Sequence, residues 1–297
     1  MVTGPTMGGN PPADKVHFGI VTGQHWLNWE DLKYQWSFAE ESGLDSAWGF
    51  DHFYSMYNGD QGPCFEGNTM LAGLSQHFTR LQFGLMVTGL THRHPSILFK
   101  EAVTLDHMSG GRFILGIGAA WNEPEHEWYG IPFPSARDRV DRFGEAMEIF
   151  RRYETDEHTT FEGQHYQIKN APFQPKPVHG HIPILVGSRG KRMMRHIAKY
   201  ADQWDGRGTP EEYAQHSARL DELCREIGRD PSEIRRVLAG GGHNFASEDV
   251  FRKHVEAYHA VGVRTFLFDM PLGEVSPTIR NIAEKVIPEL RQQLDGE

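Results

Sequence analysis

Five short segments hold most of the side chains capable of chemistry in this 297-residue chain: His25-Trp26, Asp51-His52, Thr91 to His94, Ala119 to His126, and Gly187 to Arg192. His52 is the candidate acid/base, because an imidazole titrates near neutral pH and can take or give a proton. Asp51 precedes it on extended backbone, where neighbours face opposite ways, so the two need not pair. Gly187-Ser188-Arg189-Gly190 opens a helix whose free N–H groups and dipole favour an anion, and Arg189, Lys191 and Arg192 add positive charge. A phosphate group is the expected ligand there. Small residues at Gly118, Ala119 and Ala120 end an apolar run and let a ligand approach the backbone closely. Trp26, Trp48, Phe53, Tyr54, Tyr57, Trp121 and Trp128 offer aromatic surface for an apolar or ring-containing ligand. His92 and His94 are two apart, and His126 sits among Glu123, Glu125 and Glu127. No helix-spaced His pair or Cys pair completes a zinc set, so no metal is expected.

These segments need a scaffold that brings them to one place. Apolar strand-type runs at 16–21, 46–50, 81–87, 113–117, 184–186, 202–204, 235–238 and 265–269 are each followed by a stretch with helical spacing. This repeated strand-then-helix order predicts a parallel (β/α)₈ barrel, a TIM barrel, with insertions after strands. In that architecture every loop after a strand reaches the same face, and all five loaded segments follow strands. Residues 1–14 read as a flexible leader and 15–297 as one barrel domain. An insertion at about 153–183 contains a hairpin over 160–168 and is placed to cover the barrel mouth as a lid. A formal net charge of −10 without a basic run excludes a nucleic-acid surface. No apolar stretch approaches the roughly 20 residues that span a bilayer, and no signal-peptide pattern opens the chain, so a cytoplasmic protein is expected. Cys64 and Cys224 read as separate thiols.

Asp51-His52-Phe53, Val87-Thr-Gly-Leu-Thr-His-Arg-His-Pro95, Leu105-Asp-His-Met-Ser-Gly-Gly-Arg112, Leu115-Gly-Ile-Gly-Ala-Ala-Trp-Asn-Glu-Pro-Glu-His126 and Tyr129-Gly-Ile-Pro132 together resemble the luciferase-like oxidoreductases, within them the branch that uses the deazaflavin coenzyme F420. The resemblance runs from about residue 16 to 294. It implies hydride transfer, with the tricyclic ring seated in the barrel mouth and backed by a non-proline cis peptide at Met86-Val87. It places Asp51, Met86, Val87, Thr88, Ala119, Ala120, Asn122, Gly187, Ser188, Arg189 and Gly190 around the cofactor. Trp26, Phe53, His92 and Trp121 then line the substrate pocket, and His52 handles the proton that accompanies the hydride. Two departures stand out. Ser188 and Arg189 occupy positions where small residues are frequent, and Trp121 replaces the proton-donating glutamate of the family's sugar-phosphate dehydrogenases, which argues against glucose-6-phosphate. Flavin mononucleotide (FMN) enzymes share the barrel, so a monooxygenase fed reduced flavin by a partner reductase is the first alternative. A non-catalytic deazaflavin-binding protein is the second. A homodimer acting on a small molecule is expected from the family.

Overall fold

The computed structural model describes residues 15–57, 59–240 and 245–295. The leader expected at 1–14 lies outside them. The barrel strands are β1 (His17–Val21), β2 (Ser46–Gly49), β3 (Gln82–Leu85), β4 (Thr88–Gly89), β5 (Leu115–Gly118), β8 (Ile184–Gly187), β9 (Gln203–Asp205), β10 (Arg235–Ala239) and β11 (Thr265–Asp269). A hairpin, β6 (His158–Glu162) and β7 (Gln167–Pro172), separates β5 from β8. The nine barrel strands pair in the order β3-β2-β1-β11-β10-β9-β8-β5-β4. Strands β3 and β4 sit at opposite ends of that order yet are two halves of one strand, divided at Met86-Val87, whose peptide bond is cis. Every pairing along the order is parallel, and Phe83 also bridges to Phe113 just before β5, so the sheet closes on itself. The result is the eight-stranded barrel predicted from the strand-helix alternation.

Closure sets which side chains fit. Where β3 meets the chain entering β5, a Cβ on Gly84 would stand 2.3 Å from the Ile114 carbonyl oxygen, and one on Gly116 would stand 1.9 Å from that of Leu85. Only glycine admits such an approach of two backbones. Beneath the same seam the buried Arg112 guanidinium donates to the carbonyls of Ser75, Phe78, Leu81 and Ser109, tying the loop after α2 (Gly67–Leu74) to the start of β5.

The outer helices α1 (Trp29–Glu41), α3 (Pro95–Ser109), α5 (Ala136–Thr155), α6 (Lys191–Tyr200), α7 (Pro210–Glu226) and α8 (Glu248–His259) bury one face each against the strands. Asn28 and Thr209 form capping boxes at the starts of α1 and α7, and Gly110 ends α3 in the left-handed region at φ 68°. The last helix runs as α9 (Pro277–Asn281), a π-helical turn and α10 (Ile287–Asp295). A further short helix, α4 (Glu123–Tyr129), forms where the sequence reads as loop. At seven residues it shows no periodicity, but Pro124, the acidic first turn and Gly130 at its C-cap are sufficient signals. Among the described residues no helix is long and apolar enough to cross a membrane.

The insertion, expected as a lid, is anchored on two outer helices. Its hairpin lies outside the barrel, where the Glu145 carboxylate on α5 accepts from the N–H groups of Gln164, His165 and Tyr166. Phe173 stacks on Tyr153 at 4.1 Å and packs against Phe99 of α3, burying the apolar side of the insertion on these two helices. No described residue of the insertion lines the two cavities that hold His52, while Tyr166 lines a side cavity with His92 and Ala119. The end of the insertion is fixed by His181, whose ring nitrogens lie 2.8 Å from Glu154 and 2.9 Å from Asp202. Burial works to lower the His181 pKa, but the two carboxylates outweigh it and hold the imidazolium up to about 9. A pKa raised on folding gives stability that is complete below the ordinary value of 6.5 and lost as pH rises through about 9. Thermal melts across that window should fall more steeply for the native chain than for His181→Gln; parallel curves would refute the clamp.

Candidate active site

Asp51 stands at the end of β2 with its carboxylate buried. It accepts the Gly89 N–H at 3.0 Å and His92 Nδ1–H at 3.1 Å, and both nitrogen arms of Arg93 reach it, the shortest at 2.9 Å. Burial alone would push this carboxyl up. The His92 and Arg93 donors prevail and bring it down to about 2. Arg93 also bonds to Glu66, the N-cap of α2, and lies 3.3 Å from Glu101 on α3. Asp51 and His52 do not pair, as their adjacency on extended backbone suggests.

His52 turns instead to Glu125, a residue of α4 that is fully buried. Its Nδ1 lies 2.9 Å from Glu125 Oε2, while Oε1 accepts the Phe53 N–H at 2.7 Å. Burial raises the Glu125 carboxyl, but the His52 and Phe53 donors hold it below the usual range. An ionised carboxylate only accepts, so His52 carries its proton on Nδ1 when neutral and leaves Nε2 as a base. His52 lines two cavities, and the edge of Trp121 lies against its ring at 5.9 Å. His126 is held between Thr91 Oγ1 at 2.6 Å and the Asn122 carbonyl at 2.7 Å. His92, Glu125 and His126 bring ligand-capable atoms within 4.8 Å of one another, although these hydrogen bonds already engage Glu125 and His126.

The first cavity, of about 360 Å³, gathers Asp51, His52, Met86, Val87, Thr88, His92, Ala119, Ala120, Trp121, Asn122, Gly187, Ser188 and Arg189. A Cβ on Gly187 would meet nothing nearer than Asp205 at 3.6 Å, so its small size leaves the cleft open at the end of β8. Helix α6 begins beside it without a side-chain cap, whereas Asn28, Glu66, Ser135, Thr209 and Ser247 cap α1, α2, α5, α7 and α8. Its free N–H groups, with Ser188 and Arg189, suit an anion. Gly190 does not line this cavity; its N–H donates to the Ser188 hydroxyl at 3.3 Å.

A second cavity of about 490 Å³ adjoins the first and shares His52, Met86, Trp121 and Arg207 with it. Trp26 lines this one, with Phe50, Met56, Tyr57 and Leu272. His25, on its wall, is kept neutral by burial, which brings its pKa down to about 4. Phe53 was expected in the substrate pocket but lines neither cavity. Its ring packs on His92 at 4.8 Å and on Tyr129 at 5.6 Å, facing the groove between α2 and α3. Glu125 and Arg207 had no place in the sequence-based site.

Residues 14–284 match the family described as luciferase-like monooxygenase. The chain belongs to that family. Among its luciferase-like relatives, an uncharacterized protein of Mycobacterium tuberculosis is 35% identical over 185 residues, 61% of this chain and 62% of that protein. The F420-dependent glucose-6-phosphate dehydrogenase of Kineococcus radiotolerans is 30% identical over 206 residues, 67% of this chain and 60% of that enzyme. The matches thus span less than two thirds of these relatives' own lengths. An F420-dependent secondary alcohol dehydrogenase, solved with an F420-acetone adduct, superposes with a TM-score of 0.79 at 19% identity, covering 91% of this chain and 98% of that one. At that identity the likeness speaks for the luciferase-like fold.

The Asp51 cluster fixes the site's architecture. Arg93→Met would leave the Asp51 carboxylate buried without its main counter-charge, and should destabilise the chain by about 3–5 kcal/mol in urea unfolding. A loss below about 1 kcal/mol, as for a surface pair, would contradict this account.

Proposed function

We propose that this luciferase-like protein is an F420-dependent oxidoreductase that moves a hydride between C5 of the deazaflavin and a small organic substrate with an apolar or ring-bearing body. The observation that carries this reading is the pair of adjoining cavities with a common wall. One has an anion-suited end at α6, a wall of small residues and the Met86-Val87-Thr88 backbone; the other combines the aromatic and apolar side chains of Trp26, Phe50, Met56, Tyr57 and Leu272 with the polar groups of His25, Arg207 and Asp269. His52 sits at their boundary. The F420-dependent glucose-6-phosphate dehydrogenase among the relatives supports the choice of cofactor.

The residues present fit such a cofactor. Ser188, Arg189 and the first turn of α6 would hold its phosphate, and Met86, Val87 and Thr88 would back its ring. When bound, the deazaflavin supplies a carbon that accepts or gives a hydride. The chain's own part is proton handling and exclusion of water. With Nδ1–H donated to Glu125, His52 Nε2 accepts the hydroxyl proton as an alcohol carbon loses hydride, and returns it in the reverse direction. Trp121 meets the ring of His52 in a T-shaped contact and offers an apolar wall, though no proton donor. Reading Trp121 in this way, we expect glucose-6-phosphate not to be the substrate.

The family description favours a second reading, an FMN-dependent monooxygenase. The two are separated by anaerobic bleaching of oxidised F420 with a panel of secondary and ring-bearing alcohols, set against oxygen uptake with reduced FMN. Alcohol-dependent bleaching is expected; oxygen uptake alone would install the monooxygenase. With any alcohol that turns over, His52→Ala should lower the rate by about 10²–10⁴-fold while leaving F420 affinity in place. Undiminished turnover would remove His52 from the mechanism.

A further inference from the structure

The loop after β9 runs Gly206-Arg207-Gly208, and Arg207 adopts φ 42° between two glycines, Gly208 at φ 103°. The left-handed region suits glycine and disfavours a residue with a side chain. An arginine there is held against its backbone preference. Asp205, buried at the end of β9, accepts Arg207 Nε–H at 2.9 Å with one oxygen and the Ala239 N–H at 3.0 Å with the other. This fixes the arginine stem and, among the described residues, leaves both terminal amino groups of the guanidinium without a hydrogen bond, on a side chain that is 61% exposed. Among the described residues Arg207 is also the one Lys or Arg lining the larger cavity, whose other walls include Trp26, Phe50 and Tyr57.

We infer that Arg207 is the anion anchor of the substrate, which is therefore an organic carboxylate: an apolar or aromatic body lies against Trp26, Phe50 and Tyr57 while its carboxylate takes the two free amino groups of the guanidinium. The planar fork of arginine matches a carboxylate in two parallel hydrogen bonds, a geometry lysine does not offer. The inference rests on reading the larger cavity as the substrate side. Asp269, at the end of β11, lines the same cavity and is a carboxylate that acts on Arg207. It competes with an incoming anion, so the two residues have opposite effects on binding.

The test is a tryptophan-fluorescence titration of the full chain with benzoate and with benzamide, its neutral isostere. Benzoate should bind more tightly than benzamide. Arg207→Gln should weaken benzoate by about tenfold or more, the scale of a lost charge-assisted pair, with Arg207→Lys between the two. Benzamide binding should stay within about twofold, and Asp269→Asn should tighten benzoate. Melting curves of each variant report folding independently. Equal binding of benzoate and benzamide, binding of neither, or no opposition between the Arg207 and Asp269 variants would overturn the proposal. A parallel F420 titration separates the claims. If F420 fails to bind the native chain while the benzoate contrast stands, the cofactor reading falls alone; if Arg207→Gln weakens F420 and spares benzoate, Arg207 belongs to the cofactor.

Discussion

A carboxylate buried at the end of β2 is the constraint to which the rest of the site answers. Taking Asp51 out of water costs several kcal/mol unless donors replace the lost hydration. Here they come from three places: the Gly89 N–H on β4, the His92 ring and the Arg93 fork. Arg93 in turn binds Glu66 at the head of α2 and lies by Glu101 on α3, so one charge sets the loops after β2 and the split strand against two outer helices. With the loop after β2 held, His52 faces Glu125, and the hydrogen bond between them selects which ring nitrogen is left to the cavity.

The polarity of the mouth follows from where each loop ends. At β5 and β8 small residues and an uncapped helix start leave room and free N–H groups, which is what an anionic cofactor needs. Across the barrel, the loops after β1, β2 and β11 bring Trp26, Tyr57 and Leu272 to a wall that also carries His25 and Asp269. Between the two lie His52, Met86, Trp121 and Arg207. A reacting carbon held at this boundary would meet a base on one residue, an apolar screen on another and a fixed positive charge on a third.

The barrel was legible in the sequence because eight apolar runs alternate with helical spacing, a signal that survives errors of a few residues at each boundary. The division of β3 from β4 was not visible in the residues themselves; it came with the resemblance to the luciferase-like oxidoreductases. The site was legible as residue types but not as pairs. His52 announces itself, whereas its partner Glu125 lies 73 positions away in a helix too short to show a period. Phe53 looked like a pocket residue because aromatics gather around His52 in sequence. Its N–H is tied to Glu125, and its ring packs on His92 and Tyr129 at the outer groove. Arg207 carried no motif at all. Only its backbone conformation and its place at the shared wall single it out.

Whether the first cavity is built for a deazaflavin is decided by titrating the purified chain with oxidised F420 and with FMN side by side, following tryptophan quenching. F420 is expected to bind about a hundredfold more tightly, a difference of about 2.7 kcal/mol. Equal affinity, or preference for FMN, would contradict it.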